Sequence, residues 1–200
     1  MPKDNPRGFV EYRNLGGSHD PMTRKRRIKA GGISGAGQKF AGVPVVLVSG
    51  DTIALQPTPA TVAGLPIIGI IRTIHNSDDR PLTHNLPSSG NFLPASVAGY
   101  AYVNEDPNQT YLVSTDATLT STFIGQFVDV TASPNNTAAG RSGFQVTLAT
   151  ASNTAAARLP FQVIGIADNE LTGQPVGGEG NQDVEVRIYD HAWSQRNKIR

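Results

Sequence analysis

Apolar residues are grouped into short runs from residue 40 onward, and polar turn residues separate these runs. Residues 43–48 and 52–55 are rich in β-branched side chains, and the Ser-Gly-Asp between them predicts a hairpin of two strands. Residues 65–74 are apolar on both faces, which is typical of a strand in the centre of a sheet. Gly69 within this run indicates a bulge or a close approach of another backbone.

Further regions carry the period of two that is typical of half-buried strands. Residues 97–103 and 110–114 alternate in this way, and the turn-forming residues 104–108 between them predict a second hairpin. Residues 144–148 and 159–166 predict two more strands. Short strands separated by turns in this manner are typical of a mainly β domain, either a small barrel or a sandwich.

Two patterns assign individual side chains to the core. Residues 184–189 alternate strictly, so we expect Val184, Val186 and Ile188 to face inward and Glu185, Arg187 and Tyr189 to face solvent. A different spacing, i, i+4, i+5 and i+8, relates Leu119, Phe123, Ile124 and Phe127. It fits an amphipathic helix better than a strand, and it predicts one short helix in an otherwise β fold.

The first forty residues differ from the rest in both pattern and charge. No apolar period persists from residue 8 to residue 37, and paired glycines and Asp-Pro interrupt the segment. Residues 1–40 contain nine Lys or Arg and three acidic residues, a net charge of +6, whereas the remaining 160 carry eight against thirteen, a net charge of −5. We therefore expect three parts: an extended basic N-terminal arm (1–39), a β body (40–191) and a loose basic C-terminal tail (192–200).

Composition limits the chemistry that is available to the 200 residues. The chain has no cysteine, which removes disulfides, thiolate metal sites and thiol nucleophiles and fits synthesis in a reducing cytoplasm. Charged residues make up 16%, below the ~25% of an average domain, so the surface suits packing against neighbours. The chain start lacks the apolar core of a signal peptide, and no apolar run approaches the ~20 residues needed to cross a bilayer, so we expect a soluble protein without a membrane partner.

No motif predicts catalysis or a cofactor. The four histidines have no second ligand at a fixed spacing, so no metal site is expected. Residues 31–37 resemble a phosphate-binding loop only in being rich in glycine, and a flexible hinge is the better interpretation. The long loop at residues 75–91 is instead predicted to be a contact surface, because long loops are commonly functional or held by a partner. Its candidate contact residues are His75, Asp78, Asp79, Arg80 and His84.

The cluster Arg24-Lys-Arg-Arg27, followed by Lys29, has three interpretations. It could contact nucleic acid, dock on an acidic protein surface, or be a solvated run of charge. Aromatic residues that would stack on bases are missing around it, so a nucleic-acid partner is disfavoured. Docking on protein is favoured, and because the body is acidic that protein could be a neighbouring copy of the same chain.

The ordered series of blocks along the chain resembles the capsid decoration, or cement, proteins of tailed bacteriophages. The blocks are residues 5–9 (Asn-Pro-Arg-Gly-Phe), 13–18 (Arg-Asn-Leu-Gly-Gly-Ser), 68–71 (Ile-Gly-Ile-Ile), 101–111 (Ala-Tyr-Val-Asn-Glu-Asp-Pro-Asn-Gln-Thr-Tyr), 137–143 (Thr-Ala-Ala-Gly-Arg-Ser-Gly), 166–170 (Ile-Ala-Asp-Asn-Glu) and 186–191 (Val-Arg-Ile-Tyr-Asp-His). Two features depart from the pattern: residues 24–27 are more basic than expected, and residues 192–200 extend past the usual end.

The resemblance implies a viral structural protein that is not an enzyme. It would be made in the bacterial cytoplasm, lie on the outer capsid surface of the virion, stabilise the head by clamping neighbouring major capsid subunits, and form a homo-oligomer, with a trimer favoured over a dimer. The residues expected to contact the capsid from the arm are Arg7, Phe9, Tyr12, Arg13, Arg24, Lys25, Arg26, Arg27 and Lys29. The alternative is a carbohydrate- or receptor-binding β module on the virion that uses Tyr100 or Tyr102, although aromatic residues total only 6%.

Overall fold

The computed structural model describes residues 8–17, 22–28, 39–55, 66–82, 92–94, 97–132, 142–153, 159–167, 183–189 and 191–192. These residues form thirteen β-strands and one short 3-10 helix. The strands are β1 (Val10–Asn14), β2 (Thr23–Ile28), β3 (Lys39–Phe40), β4 (Pro44–Ser49), β5 (Thr52–Leu55), β6 (Ile67–His75), β7 (Phe92–Leu93), β8 (Gly99–Asn104), β9 (Gln109–Ser114), β10 (Phe127–Ala132), β11 (Phe144–Ser152), β12 (Phe161–Ile166) and β13 (Asp183–Ile188). The mainly β fold predicted from the sequence is confirmed.

Five of the strands close into a barrel in the order β2-β5-β4-β6-β8. The predicted hairpin at residues 43–55 is confirmed as β4 and β5, which pair antiparallel. Strand β6 lies between β4 and β8, as its apolar sequence predicts. Gly69 allows this arrangement, because a Cβ at that position would overlap the carbonyl of Asn104 on β8.

A second sheet contains six strands in the order β1-β9-β13-β12-β10-β11. Thr115, just after β9, forms a parallel bridge with Val146 on β11, so the end of β9 approaches the strand at the far side of the series. A small third sheet pairs β3 with β7. One hydrophobic cluster includes residues of all three sheets, with Ile71 from the barrel, Val186 from the six-stranded sheet and Phe40 from the small sheet among its members. The barrel and the six-stranded sheet therefore share a single core.

Two sequence predictions of local structure are wrong. The hairpin expected between residues 97 and 114 does not form, because β8 belongs to the barrel and β9 to the six-stranded sheet, and residues 104–108 connect the two. The amphipathic helix is reduced to a 3-10 helix at Ser121–Phe123. Ile124, assigned to its apolar face, is 49% exposed, while Phe127 starts β10.

The alternation in β13 is confirmed on the inner face and is wrong at one residue of the outer face. Val184, Val186 and Ile188 are buried, as predicted. Glu185, which was expected in solvent, is only 4% exposed because the side chain of Arg13 lies across it. A residue of the N-terminal segment therefore covers the outer face of this strand.

The described part of the predicted arm belongs to the folded body, which corrects the expectation of an extended strap over those residues. β1 pairs antiparallel with β9, and β2 pairs antiparallel with β8 over six residues. We call residues 8–17 and 22–28 together the N-terminal segment. Residues 1–7 of the arm and 193–200 of the tail lie outside the described residues, as do 83–91 of the predicted contact loop. No helix among the described residues is long and apolar enough to span a membrane.

Candidate functional site

A buried ion pair joins β2 to the connection between the barrel and the six-stranded sheet. Arg26 donates from Nε to Oε1 of Glu105 at 2.5 Å and from a terminal nitrogen to Oε2 at 2.8 Å. Its other terminal nitrogen donates to Oδ1 of Asp51 at 2.9 Å. Glu105 is inaccessible to solvent and Arg26 is 6% exposed. The hydrogen bond with Glu105 raises the pKa of Arg26, so this guanidinium is a fixed positive charge inside the fold.

The same connection, residues 104–108, holds the rest of the N-terminal segment through short polar contacts. Asn104 donates to Oε1 of Glu11 at 2.8 Å, and Asn14 donates to Oδ2 of Asp106 at 2.6 Å. Backbone bonds from Leu15 to Asn108 and from Glu105 to Met22 add two attachments, at 2.9 and 2.8 Å. The Asn-Glu-Asp sequence at 104–106 was expected to form a simple turn. Its side chains instead bind residues of both N-terminal strands.

Arg13 and Glu185 form the second long-range ion pair of the N-terminal segment. The guanidinium reaches both carboxylate oxygens, at 2.7 and 2.8 Å. The hydrogen bond with Glu185 raises the pKa of Arg13. Such a bidentate pair fixes geometry as well as charge, so it helps to hold β1 at the edge of the six-stranded sheet, where it is separated from β13 by β9.

Side chains from three neighbouring strands, β2, β6 and β8, and from the turn after β6 meet on the surface of the barrel. We call this set the barrel face, and its members are Lys25, Arg27, His75, Asp79, Tyr100 and Tyr102. The strand register places Lys25 opposite Tyr102 and Arg27 opposite Tyr100, with His75 opposite Tyr100 on the other side. Parts of the predicted arm and of the predicted contact loop are thus brought together at one place, which the sequence alone did not indicate.

The barrel face is internally bonded. Lys25 donates to Oδ2 of Asp79 at 2.6 Å, and its ammonium lies 4.1 Å from the ring centroid of Tyr100. The rings of His75 and Tyr102 lie 4.5 Å apart. The hydrogen bond between Lys25 and Asp79 raises the pKa of the lysine and lowers the pKa of the aspartate. Both groups therefore stay charged over the physiological pH range.

Asp79 has an unusual backbone conformation. Its φ is +62°, and among the described residues it is the only non-glycine with positive φ. The side chain of Asn76 accepts hydrogen bonds from the backbone of Asp78 and Arg80, which holds the turn that carries Asp79. Backbone conformations of this kind occur often at binding sites, so the turn supports the barrel face as a candidate contact surface.

The residues that were predicted to be contact residues differ in their exposure to solvent. Phe9 is in the core, where it stacks on Phe161 at 4.7 Å between ring centroids, and Arg26 is buried in its ion pair. Both were expected as surface contacts, and that expectation is corrected. Tyr12 is exposed. The other exposed candidates lie on β1, β2 and the turn after β6, and they are Arg13, Arg24, Lys25, Arg27, Asp78 and Arg80. Arg7, Lys29 and His84 lie outside the described residues.

Sequence reasoning missed the acidic partners of the basic segment: Glu105, Asp51 and Glu185. The excess of negative charge in the body was a signal that such partners exist, but it could not identify them individually. His191 was also missed. It is fully buried where the chain bridges to Ile67, and desolvation lowers its pKa to about 4. The imidazole is therefore neutral at neutral pH.

Within the residues that the structure describes, no group of three or more His, Asp or Glu side chains is placed to hold a metal ion. The described residues provide fixed charges, hydrogen bonds and stacked rings, an arrangement that suits recognition of another surface. No protein-family model, curated protein or solved structure matches the chain.

Proposed function

We propose that the protein is a capsid decoration protein of a tailed bacteriophage, which binds the outside of the head and joins neighbouring major capsid subunits. The observation that carries the proposal is the series of sequence blocks, from residues 5–9 to 186–191, in the order typical of that family. The function is structural and needs no cofactor. Formation of a homo-oligomer on the virion surface, either a trimer or a dimer, is part of the same proposal.

The folding of the N-terminal segment changes how such a clamp would work. Because β1 and β2 are strands of the body, residues 8–28 are not a free strap that becomes ordered on the capsid. A folded surface that is already ordered loses less conformational entropy on binding than a disordered arm does. In this proposal the barrel face provides the contact, since Tyr and Arg are the residues that most often dominate binding energy at protein interfaces.

The test is co-sedimentation with heads assembled without the protein. We expect the wild-type chain to bind these heads and the double variant Arg27→Glu/Arg80→Glu to lose at least tenfold in occupancy. Arg27 is a member of the barrel face, and Arg80 follows Asp79 in the adjoining turn. Both are exposed, and neither takes part in the Lys25–Asp79 pair. Arg72→Glu/Arg187→Glu is the matched control, because it changes the net charge equally at two described residues that are not members of the barrel face.

Two different results would contradict the proposal at different levels. Absence of wild-type binding would overturn the decoration function itself. Wild-type binding with full occupancy of the double variant would overturn only the assignment of the barrel face. Deleting residues 1–30 is not a suitable test, because it removes both N-terminal strands and the arginine partner of the buried Glu105.

A second candidate function is a carbohydrate-binding module, favoured by the partly accessible rings of Tyr100 and Tyr102 beside Asp79 and His75. Lys25 and His75 already occupy one face of each tyrosine ring, and a sugar platform needs an uncovered ring face. Binding of the wild-type chain to a glycan array, lost in both Tyr100→Ala and Tyr102→Ala, would favour this function over capsid decoration.

A further inference from the structure

The N-terminal segment is attached to the body through interactions that a second copy of the chain could provide equally well. Arg13, Lys25 and Arg26 each bind an acidic residue of the body, namely Glu185, Asp79 and Glu105. The chain has no cysteine, so no disulfide fixes the segment that carries these cations to the body of the same chain. Part of the charge separation of the sequence, +6 against −5, thus corresponds to contacts between the segment and the body.

The two strands also occupy positions from which they can be removed without dividing a sheet. β1 is the outermost strand of the six-stranded sheet and has β9 as its neighbour. β2 lies between β8 and β5, and its parallel pairing with β5 is a single register pair, Arg27 with Thr52. Without the segment, β9 keeps β13, β8 keeps β6, and β5 keeps β4. The body therefore keeps its other strand pairs. The edges of β8 and β9 that the segment leaves unpaired are called the receptor slot.

The connection between β2 and β3 is long enough to allow exchange. It spans residues 29–38 and includes four glycines, and ten residues can reach at most about 35 Å. Exchange of an identical element between copies makes no new kind of contact, so local concentration decides between the exchanged and unexchanged forms.

We infer that the N-terminal segment exchanges between two copies of the protein, so that Arg26 of one copy pairs with Glu105 of the other and each copy completes the barrel of its partner. The inference rests on the proposed function in one respect, that decoration of a head brings copies close together. It names the partner as a second copy of the chain and the contact as the receptor slot beside Glu105.

Charge reversal provides a direct test with the full-length chain. Arg26→Glu and Glu105→Arg each place like charges in the buried pair, and we expect neither variant to accumulate as soluble protein on its own. Co-refolding the two variants restores both pairs only if the segments exchange: Arg26 of the second variant meets Glu105 of the first, and the two reversed residues meet each other. The expected result is at least ten times more soluble protein than from either variant alone, recovered as a 1:1 complex. No gain on mixing, while the chain carrying both changes folds by itself, would overturn the inference.

A second measurement applies if the chain carrying both changes does not fold. Arg27 and Tyr100 face one another across β2 and β8, and paired strand positions have Cα separations within the range of a disulfide. The natural chain lacks cysteine, so Arg27→Cys and Tyr100→Cys in separate, differently tagged chains report exchange without background. A disulfide between the two chains after co-refolding supports exchange. Monomers alone, with an intrachain disulfide in the double-cysteine variant, would overturn it. Either result leaves head binding by the wild-type protein as a separate question.

Discussion

The N-terminal segment and strand β6 are both parts of the same core, but different forces hold them. β6 buries Ile67, Ile68, Ile70, Ile71 and Ile74 and has a paired strand on each side. In β2, by contrast, Ile28 is the one buried apolar residue, and charged side chains fill four of its six positions. The segment is held by partners that lie far away in sequence, whereas β6 is held by the burial of its own side chains.

A polar sequence without apolar alternation can thus form a strand where the body provides a buried residue of opposite charge. Arg26 would be costly to bury alone, but the carboxylate of Glu105 provides two hydrogen bonds and neutralises it. Breaking a buried pair of this kind is costly, because removing one partner leaves the other charged and desolvated. The apolar pattern of the sequence predicts that β6 is a strand, but it gives no prediction for β2.

The largest expected effect comes from breaking the buried ion pair. Arg26→Met leaves Glu105 without its main partner in a fully buried position, so we expect the free energy of unfolding to fall by about 3–5 kcal/mol. Replacing both residues, Arg26→Met/Glu105→Met, removes the unpaired charge, and most of the loss should be recovered. Urea unfolding measures both changes, with the half-exposed Arg24→Met as the control. Equal losses in the single and double variants would show that the pair is not the main attachment of β2.

A loss of similar size is expected at the apolar anchor of the segment. Phe9 stacks on Phe161 and meets the edge of Tyr111, so Phe9→Ala should destabilise the protein by about 3–5 kcal/mol. Tyr12→Ala, on the same segment but 53% exposed, should change stability by less than about 0.5 kcal/mol. Thermal or urea unfolding distinguishes the two. Equal effects would contradict the placement of Phe9 in the core.

A smaller effect is expected from pH, through the body residue His191. Its folded-state pKa of about 4 lies below the unfolded value of 6.5, so the unfolded chain binds a proton that the folded chain does not. Stability from this group is therefore complete above pH 6.5 and decreases as the pH falls towards 4. Between pH 7 and 5 the loss should be about 2 kcal/mol.

The variant His191→Gln removes this titration, so its stability should depend less on pH over the same interval. Urea unfolding at several pH values measures the slope. His19→Gln, which also removes one histidine from the sequence, is the control. An unchanged slope in His191→Gln would contradict the burial of a neutral imidazole.

The smallest effect is expected at the exposed pair of Lys25 and Asp79. Both side chains are about two-fifths exposed, and ion pairs of this type contribute little and are screened by salt. Lys25→Gln and Asp79→Asn should each cause a minor loss of stability that decreases at high salt. A double-mutant cycle measures the coupling, and a loss as large as that of Arg26→Met would contradict the distinction between buried and exposed attachments.

Much of the body was predictable because its strands follow local rules. The hairpin of β4 and β5 has a turn sequence between two β-branched runs, and Gly69 marks a close backbone approach that the structure contains. The failure of the hairpin predicted between residues 97 and 114 has a physical cause. Residues 104–108 have the composition of a hairpin turn, yet they connect two sheets because Asn104, Glu105 and Asp106 bind the N-terminal segment.

The candidate site was predictable only in part. The sequence indicated that Lys25, Asp79 and Tyr102 were noteworthy, each for a separate reason, and the structure places them in one hydrogen-bonded group. Strand register decided this, because the pairing of β2, β6 and β8 sets which outward side chains become neighbours. Register depends on long-range pairing, and no local pattern in the polar β2 fixes it.

By itself, the sequence determined that the chain is a mainly β protein with a central apolar strand, no thiol chemistry and a basic start joined to an acidic body, because composition and alternation are local properties. Only the tertiary structure decided that the basic start completes the barrel and the six-stranded sheet, with Arg26 and Phe9 inside. That outcome depends on where Glu105 and Phe161 lie in space, because a charged or isolated aromatic residue is buried only when distant parts of the chain provide its partner.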